Sequence, residues 1–323
     1  MRQPAVSVVV PLYNAEEYIS TCVKSLLSQS FDDIEILVVD DGSTDRGVES
    51  LGDLVNDYRL RVFSQENSGG PAKPRNVGIA EARGEFVFFF DADDVADKTK
   101  IERTVEAFES AGPAFGMAAT DFRLVDDSGN VLESSYLRNF DKIAEMMDDA
   151  GRNPILSLDS AAAYDLLLKG NFVGTSSVAV RKSVLADCGG FDETLANGDD
   201  YDFWLRIVRH YGLLLLGTCT HSYRKQSQSI SHRPATRLAP SRIAVLERQT
   251  RHDLTPIQKS TVNRQIASNY HAMGWEAKST GKYADSVGYY WSALRYRRNY
   301  HLLTRFAWSV FLSAANWFRP TQK

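Results

Sequence analysis

Cysteine and long apolar runs are both scarce in this 323-residue sequence. The three cysteines, Cys22, Cys188 and Cys219, lie far apart without metal-site spacing, so we expect reduced thiols in a cytoplasmic protein. No apolar stretch reaches the roughly 20 residues that a membrane-spanning helix needs. The chain enters the strand-like segment VSVVVP at once, which predicts that it has no signal peptide.

Glycine motifs that bind phosphate are also missing. The glycine-rich segment GGPAKPRNVGIA (69–80) contains neither GxGxxG nor GxxxxGK[ST], which argues against a nicotinamide enzyme and against a P-loop ATPase. Arg75 precedes a predicted helix, where its guanidinium could face a phosphate or a base. A surface salt bridge is the alternative.

The net charge of −4 conceals an uneven distribution. From His221 onward the chain has 17 Lys and Arg against 4 Asp and Glu, whereas residues 1–220 have 20 basic and 37 acidic residues. The apolar content of 43% is that of an ordinary globular protein, and the length suits one α/β domain with an appendage. The C-terminal third therefore presents a different surface from the rest.

Apolar runs alternate with helical stretches through the first 90 residues. We predict strands at 6–11, 34–40, 60–64 and 85–90, with helices between them that include one over 46–57. Because these runs lack polar alternation, they indicate a parallel sheet that is covered on both faces. The sequence therefore predicts an α/β fold, with a Rossmann-like, mixed but mostly parallel sheet flanked by helices.

The second half of the chain is less regular. Residues 136–170 match no functional pattern, and residues 197–212 read as a helix with acids at its start. Everything from about Pro240 onward favours helix. We therefore expect a catalytic domain over residues 1–238 and a basic helical C-terminal region over residues 239–323.

Three acids, Asp91, Asp93 and Asp94, directly follow the strand in the segment FVFFFDADD. Carboxylates this close repel one another unless a cation or hydrogen-bond donors hold them. Mg²⁺ and Mn²⁺ prefer oxygen ligands, and Mg²⁺ often takes one or two carboxylates plus substrate phosphates. Asp91 and Asp93 suit such a site. Helix capping is the alternative, and Asp94 could cap the next helix beside a metal site.

Other polar residues follow the first two predicted strands. In parallel sheets ligands bind at the carboxyl ends of the strands. Asp40 and Asp41, in DDGSTD, could accept hydrogen bonds from a nucleoside, and Tyr13 could stack on a base beside Pro11 and Asn14. An ordinary turn and simple packing are the alternatives.

Three segments together resemble the inverting glycosyltransferases of family 2, which have a GT-A fold. They occur in order within about the first 230 residues: VSVVVPLYNAEEYISTCVKSLLSQSFDDIEILVVDDGSTD, NSGGPAKPRNVGIAEARGEFVFFFDADD and GGFDETLANGDDYDFWLRI. The QxxRW motif and the membrane spans of the family's processive polymerases are absent from the sequence, which argues against a processive polysaccharide synthase.

The resemblance implies roles for the polar residues at the strand ends. Asp40 and Asp41 would bind the base, with Pro11, Tyr13 and Arg75 also in the nucleotide-sugar site. The DxD motif, Asp91-Ala92-Asp93, would bind the ribose and the metal–diphosphate group, with Asp93 as the direct metal ligand beside Asp91.

The resemblance also implies a catalytic base. The family carries a Glu-Asp pair near the acceptor, which is Asp199-Asp200 in this sequence, so Asp200 takes the role of base and Asp199 replaces the Glu. Asp200 would take the proton of an acceptor hydroxyl, while Mn²⁺ or Mg²⁺ stabilises the departing diphosphate. A single displacement then inverts the anomeric centre. Charge at the start of a helix is the alternative explanation of these acids.

The resemblance implies a nucleotide-sugar donor, with a UDP-sugar favoured, and a glycan or lipid-linked acceptor in cell-surface polysaccharide synthesis. We expect no nucleic-acid partner. A nucleotidyltransferase that makes nucleotide-sugars is one alternative, but PLYNAEEY occupies the position where those enzymes have a glycine-rich loop. A non-catalytic carbohydrate-binding protein is the other, and it would not need both the DxD acids and a base.

The last helical segment (291–319) has five arginines, six aromatic residues of the Phe and Trp types, and no acid. One interpretation is a helix that packs on the acidic catalytic domain. The other is peripheral contact with an anionic membrane, which would place the protein at the cytoplasmic face.

Overall fold

The computed structural model of the chain describes residues 3–151, 154–226 and 234–317. The chain divides into two compact units. The first extends to Gln226 but excludes Leu168–Gly170, which belong with the second unit and the rest of the chain. The functional boundary between residues 1–238 and 239–323 stays a prediction.

The described part of the first unit is built around a ten-stranded mixed sheet. Its spatial order is β3-β2-β1-β4-β9-β6-β10-β5, with β7 paired to β6 and β8 paired to β10. Six strands, β1 to β4, β6 and β10, run in one direction, which confirms the predicted mostly parallel sheet. The strands are β1 (Val6–Leu12), β2 (Ile34–Asp40), β3 (Leu60–Ser64), β4 (Phe86–Phe89), β5 (Val95–Ala96), β6 (Phe115–Val125), β7 (Val131–Glu133), β8 (Ile155–Leu158), β9 (Val178–Arg181) and β10 (Gly212–Arg224).

Helices flank the sheet in the first unit and make up the described part of the second. Those of the first unit are α1 (Ile19–Leu27), α2 (Ala72–Glu81), α3 (Lys100–Ala111), α4 (Asp141–Ala150), α5 (Ser160–Leu167), α6 (Val184–Cys188) and α7 (Asp199–Val208). Those of the second are α8 (Ala235–Gln249), α9 (Pro256–Ser279), α10 (Tyr283–Tyr296) and α11 (Tyr300–Trp317). None of the described helices has the length and apolar character that crossing a bilayer requires.

The apolar runs recognised in the sequence form the centre of the sheet. All seven residues of β2 are buried, as are the four residues of β4. Side chains such as Val8, Ile36 and Phe88 share one core with Ile19 and Val23 of α1. Burial on both faces explains why these strands show no polar alternation.

Three local predictions were wrong. Arg75 does not precede a helix but lies inside α2. Residues 46–57 do not form an α-helix, because Gly52 has a left-handed φ of 50° that interrupts a short 3-10 segment, Glu49–Asn56. Asp94 does not cap a helix, because α3 begins only at Lys100. The segment 136–170, which had no predicted role, adds the strand β8 to the sheet.

Helix α2 lies unusually close to β1. A Cβ atom at Gly78 would lie 2.2 Å from Cγ1 of Val9, a separation that real structures do not show. Glycine at this position therefore lets α2 pack directly on the sheet. The same helix carries Arg75.

Candidate active site

The carboxyl ends of the first four strands meet at one edge of the sheet. Leu12 is in register with Asp40, Asp40 with Ser64, and Val9 with Phe89. The segments that follow these strands are therefore neighbours, as expected of a ligand site in an α/β fold. They carry the predicted site residues Tyr13, Asp41 and Asp91.

Asp40 and Asp41 lie buried at this edge, with 8% and 3% of their surfaces exposed. The Asp41 carboxylate accepts hydrogen bonds from the N–H of Ser68 at 3.1 Å, the Ser68 hydroxyl at 2.9 Å and the Gln65 amide at 2.5 Å. Asp40 accepts a bond from the N–H of Ser43 at 3.1 Å. Asp41 therefore fixes the loop 65–68, and base recognition by both acids stays a prediction.

Tyr13 projects from the loop after β1, with 53% of its surface exposed. The next residue, Asn14, has a left-handed φ of 48°, and its Oδ1 accepts a hydrogen bond from the N–H of Thr44 at 2.8 Å. This bond joins the loops after β1 and β2 and leaves the Tyr13 ring open to a ligand. Pro11 lies within β1, in register with Val39 of β2.

The three acids after β4 are held by different groups. The Asp91 N–H donates to the Ser176 hydroxyl at 2.9 Å. The Asp93 carboxylate accepts a hydrogen bond from the Gln226 amide at 3.0 Å, and the Asp94 carboxylate accepts one from the N–H of Arg224, also at 3.0 Å. These bonds fix the loop whose acids were predicted to hold a metal.

The charges of Asp93 and Asp94 are poorly compensated. Burial and the charge of Asp91 raise the pKa of Asp93 to about 6. Burial and the charge of Asp93 raise the pKa of Asp94 well above its ordinary value. A cation beside Asp93 would offset this repulsion.

Arg75 connects the two groups of acids that the sequence places far apart. Its side chain is buried, and its guanidinium donates to Asp91 Oδ1 at 2.8 Å and to Asp199 Oδ2 at 3.1 Å. The guanidinium also lies over the ring of Phe191, 5.2 Å from the centroid. The surface salt bridge considered for Arg75 is thus a buried double ion pair. It joins the DxD motif and the Asp199-Asp200 pair in one site.

Asp200 lies in the first turn of α7, where a carboxylate is favoured by the helix dipole. Its Oδ1 accepts a hydrogen bond from the N–H of Tyr201 at 2.6 Å, and its Oδ2 accepts one from the Asn171 amide at 3.2 Å. Burial and the charge of Asp199 raise the pKa of Asp200 to about 6. A carboxylate with such a pKa suits a general base near neutral pH.

Asn76, next to Arg75, ties α2 to the segment before α7. Its Oδ1 accepts a hydrogen bond from the N–H of Phe191 at 2.8 Å, and its Nδ2 donates to the Phe191 carbonyl at 2.9 Å. The pair Arg75-Asn76 therefore positions α7 through both a charge and a backbone contact.

The residues present fit a divalent ion that arrives with a substrate. In the part of the chain that the structure describes, no three His, Cys, Asp or Glu side chains are placed to hold a metal by themselves. Mg²⁺ bound to a diphosphate needs only one or two protein carboxylates. Asp93, with its raised pKa, and Asp91 supply that number.

Four residues that support the acids were not predicted from the sequence. They are Asn171, Ser176, Arg224 and Gln226. Arg224 ends β10 and Gln226 follows it, so their place at a strand end was a usable signal. Asn171 and Ser176 lie in a segment without a recognisable pattern.

The chain resembles known proteins in sequence and in fold. Residues 7–163 match the sequence model of the family "Glycosyl transferase family 2". Over 98 residues the chain is 45% identical to glycosyltransferase GlyG of Streptococcus pneumoniae. The matched region covers 30% of this chain and 33% of that protein. The chain spans 42%, 33% and 31% of the length of three curated relatives that it matches.

Two solved structures share the fold at low sequence identity. A fragment of Staphylococcus aureus TarS in complex with UDP-GlcNAc aligns with a TM-score of 0.68 and 18% identity, covering 97% of this chain and 89% of that chain. The mannosyltransferase PcManGT from Pyrobaculum calidifontis, in complex with GDP-Man and Mn²⁺, aligns with a TM-score of 0.62 and 18% identity. It covers 98% of this chain and 87% of that chain.

Proposed function

We propose that the chain is a family 2 glycosyltransferase with a GT-A fold, and that it transfers a sugar from a nucleotide-diphosphate sugar to an acceptor hydroxyl with inversion. The match of residues 7–163 to the family model supports this proposal. We assign this chemistry to residues 1–238 and a separate role to residues 239–323. The three free cysteines, two of them buried, support a cytoplasmic location.

One observation carries the proposal: the double ion pair of Arg75. It holds Asp91, of the motif proposed to bind the donor, and Asp199, of the pair proposed to serve the acceptor, at 2.8 Å and 3.1 Å from the same guanidinium. A non-catalytic sugar-binding site has no need to join these two groups. A transferase needs both substrates in one place.

The residues would divide the reaction between them. Asp40, Asp41, Pro11 and Tyr13 are proposed to surround the nucleoside at the strand ends. Asp200 is proposed to accept the proton of the acceptor hydroxyl as its oxygen attacks the anomeric carbon. A single displacement of this kind inverts the configuration of that carbon.

We propose that Asp93 and Asp91 hold Mn²⁺ or Mg²⁺ together with the donor. When bound, such an ion stabilises the negative charge of the leaving diphosphate. The presence of Mn²⁺ and GDP-Man in the PcManGT complex supports a metal–donor pair, and the UDP-GlcNAc complex of TarS supports a UDP-sugar as donor.

We propose a glycan or lipid-linked acceptor in the synthesis of a surface polysaccharide. The support is a relative, the poly(ribitol-phosphate) beta-N-acetylglucosaminyltransferase TarS of Staphylococcus aureus, which is 46% identical over 99 residues. That match covers 30% of this chain and 17% of the relative.

The test is the release of nucleoside diphosphate from a panel of UDP-, GDP- and dTDP-sugars, with Mn²⁺ or with EDTA. We expect Mn²⁺-dependent release of UDP from a UDP-sugar, with water as the acceptor when no other acceptor is present. Pyrophosphate release from a nucleoside triphosphate and a sugar phosphate would instead identify a nucleotidyltransferase. Donor binding without any release would identify a non-catalytic protein.

A further inference from the structure

Helix α11 turns an uncharged, mostly apolar face outward. Its exposed side chains include Tyr300, Leu303, Trp308, Val310 and Phe311, and the remaining exposed positions are His301, Thr304 and three alanines. None is Lys, Arg, Asp or Glu. A surface helix normally carries charged residues on its outer face, and a large exposed apolar patch usually marks a binding surface.

The rotation of α11 is fixed by contacts on its opposite side. Leu302 and Ser309 are buried, and Ser309 shares a 3.0 Å hydrogen bond with Ser286 of α10. Ser286 in turn lies 2.8 Å from the carbonyl oxygen of Gly274 in α9, to which it donates a hydrogen bond. With the inner face held in this way, residues three, four and seven positions apart line the outer face.

The outer face has the aromatic composition of a membrane interface. The rings of Trp308 and Phe311 stack on each other with centroids 5.4 Å apart, and both remain more than half exposed. The exposed Trp291 of α10 lies 5.7 Å from the ring of Phe306 and extends the apolar surface. Trp and Tyr are enriched where protein meets lipid headgroups.

The charges around this face favour an anionic partner. No acidic residue follows Asp285 in the chain. Arg295, Arg297 and Arg298 are exposed just before α11 begins. Arginines beside an apolar helix face are attracted to the anionic lipids of a membrane surface. The segment continues beyond the described residues with Phe318 and Arg319.

We propose that α11, with Trp291, docks flat on an anionic membrane surface, the three arginines pairing with lipid headgroups. The docking face is defined as the exposed side chains of α11, Trp291 and these three arginines. This assigns peripheral membrane contact to one helix face. The proposal stands whether or not the first unit transfers a sugar. The acidic first 220 residues, which anionic lipids would repel, take no part.

The test is co-sedimentation with vesicles of phosphatidylcholine that contain rising fractions of phosphatidylglycerol. We expect the full chain to bind, more strongly with more anionic lipid and less at high salt. Replacing both Trp308 and Phe311 with Ala should weaken partitioning by roughly tenfold or more. Replacing Arg295, Arg297 and Arg298 with Gln should weaken it by on the order of 100-fold on anionic vesicles.

The control is Tyr58→Ala, which removes a ring that is 90% exposed in the first unit and should leave binding unchanged. Circular dichroism checks that each variant stays folded, and donor hydrolysis in solution should be the same in all. Absence of wild-type binding to fully anionic vesicles at low salt would overturn the proposal. A second outcome would also overturn it: the wild type is an oligomer, and the Trp308 and Phe311 changes convert it to monomers without affecting vesicle binding. The docking face would then join copies of the chain.

Discussion

The three acids after β4 differ in what balances their charge. Asp91 faces the guanidinium of Arg75, and Asp94 faces the backbone N–H of Arg224. Asp93 accepts a hydrogen bond from the neutral amide of Gln226. Arg75 and Arg224 therefore offset only part of the repulsion, since the pKa of Asp93 is still raised. The proposed cation that arrives with the donor would bind beside Asp93.

Asp93→Ala should abolish metal-dependent transfer and leave the fold intact, because the variant loses the proposed metal ligand while the Arg75 ion pairs remain. The measurement is nucleoside diphosphate release at saturating Mn²⁺, with the melting temperature as the check on folding. Asp53→Ala removes an exposed acid away from the site and serves as control. Near-normal turnover of Asp93→Ala would show that the metal site is misplaced.

The raised pKa of Asp200 predicts a pH dependence. Only the ionised carboxylate accepts a proton, and its pKa is about 6, so kcat/KM should fall about tenfold per pH unit as the pH drops below 6. The profile is measured at saturating Mn²⁺, so that protonation of Asp93 does not contribute. Asp200→Asn should lose this acidic limb and be slower by roughly 10²–10⁴-fold.

A comparison with Asp199→Asn separates the two acids. If Asp200→Asn keeps its activity and its acidic limb while Asp199→Asn is inactive, the base is Asp199. Donor binding to Asp200→Asn, measured by calorimetry with Mn²⁺, should be close to that of the wild type.

Arg75→Lys tests the joining of the two groups of acids. Lysine keeps the charge but cannot form two ion pairs with fixed geometry, since it lacks the planar fork of arginine. A misplacement of about 1 Å can cost roughly 100-fold in rate, so we expect a loss of that order in kcat with a smaller change in the KM of the donor. Arg83→Lys, at an arginine that pairs with Glu35, is the matched control and should be active.

Among the elements, α2 is the one on which the site depends most. Gly78→Ala would force its Cβ to within 2.2 Å of Val9 Cγ1, so the helix must move away from β1. We expect a loss of about 1–3 kcal/mol in the free energy of unfolding, measured with urea, and slower transfer. Gly288→Ala in α10 meets open space and should stabilise by about 0.5–1 kcal/mol. Equal stability of the two variants would contradict this account of α2.

Strands could be predicted from sequence where burial on both faces leaves an unbroken apolar run, as in β2 and β4. The helix over 46–57 failed because Gly52 takes a left-handed conformation that hydrophobic periodicity does not reveal. Strand β8 was missed because it has only four residues and its exposed first residue, Ile155, is apolar, so the sequence does not show the alternation. A run so short is ambiguous in sequence.

The candidate site was predictable as a set of residues but not as an arrangement. Asp91 and Asp199 lie 16 and 124 positions from Arg75, so no local pattern could show that one guanidinium bonds to both. The supporting side chain of Asn171 was invisible for the same reason. Its hydrogen bond to Asp200 arises only from the fold.

Over the whole molecule, charge and chemistry are separated along the chain. The acidic first 220 residues contain every candidate catalytic residue, and the basic remainder contains the docking face. This division suits the proposed transferase, whose donor would be dissolved in the cytoplasm and whose acceptor would lie at a surface. Removing one function should therefore leave the other measurable.

The most direct test of the proposed mechanism is the configuration of the sugar that the chain releases from the donor. A UDP-sugar with an α linkage is incubated with the wild-type chain and Mn²⁺, with water as acceptor, and the product is followed by proton NMR before its anomers equilibrate. A single displacement assisted by Asp200 predicts that the β-anomer is released first. Initial release of the α-anomer would mean retention and would contradict the proposed mechanism.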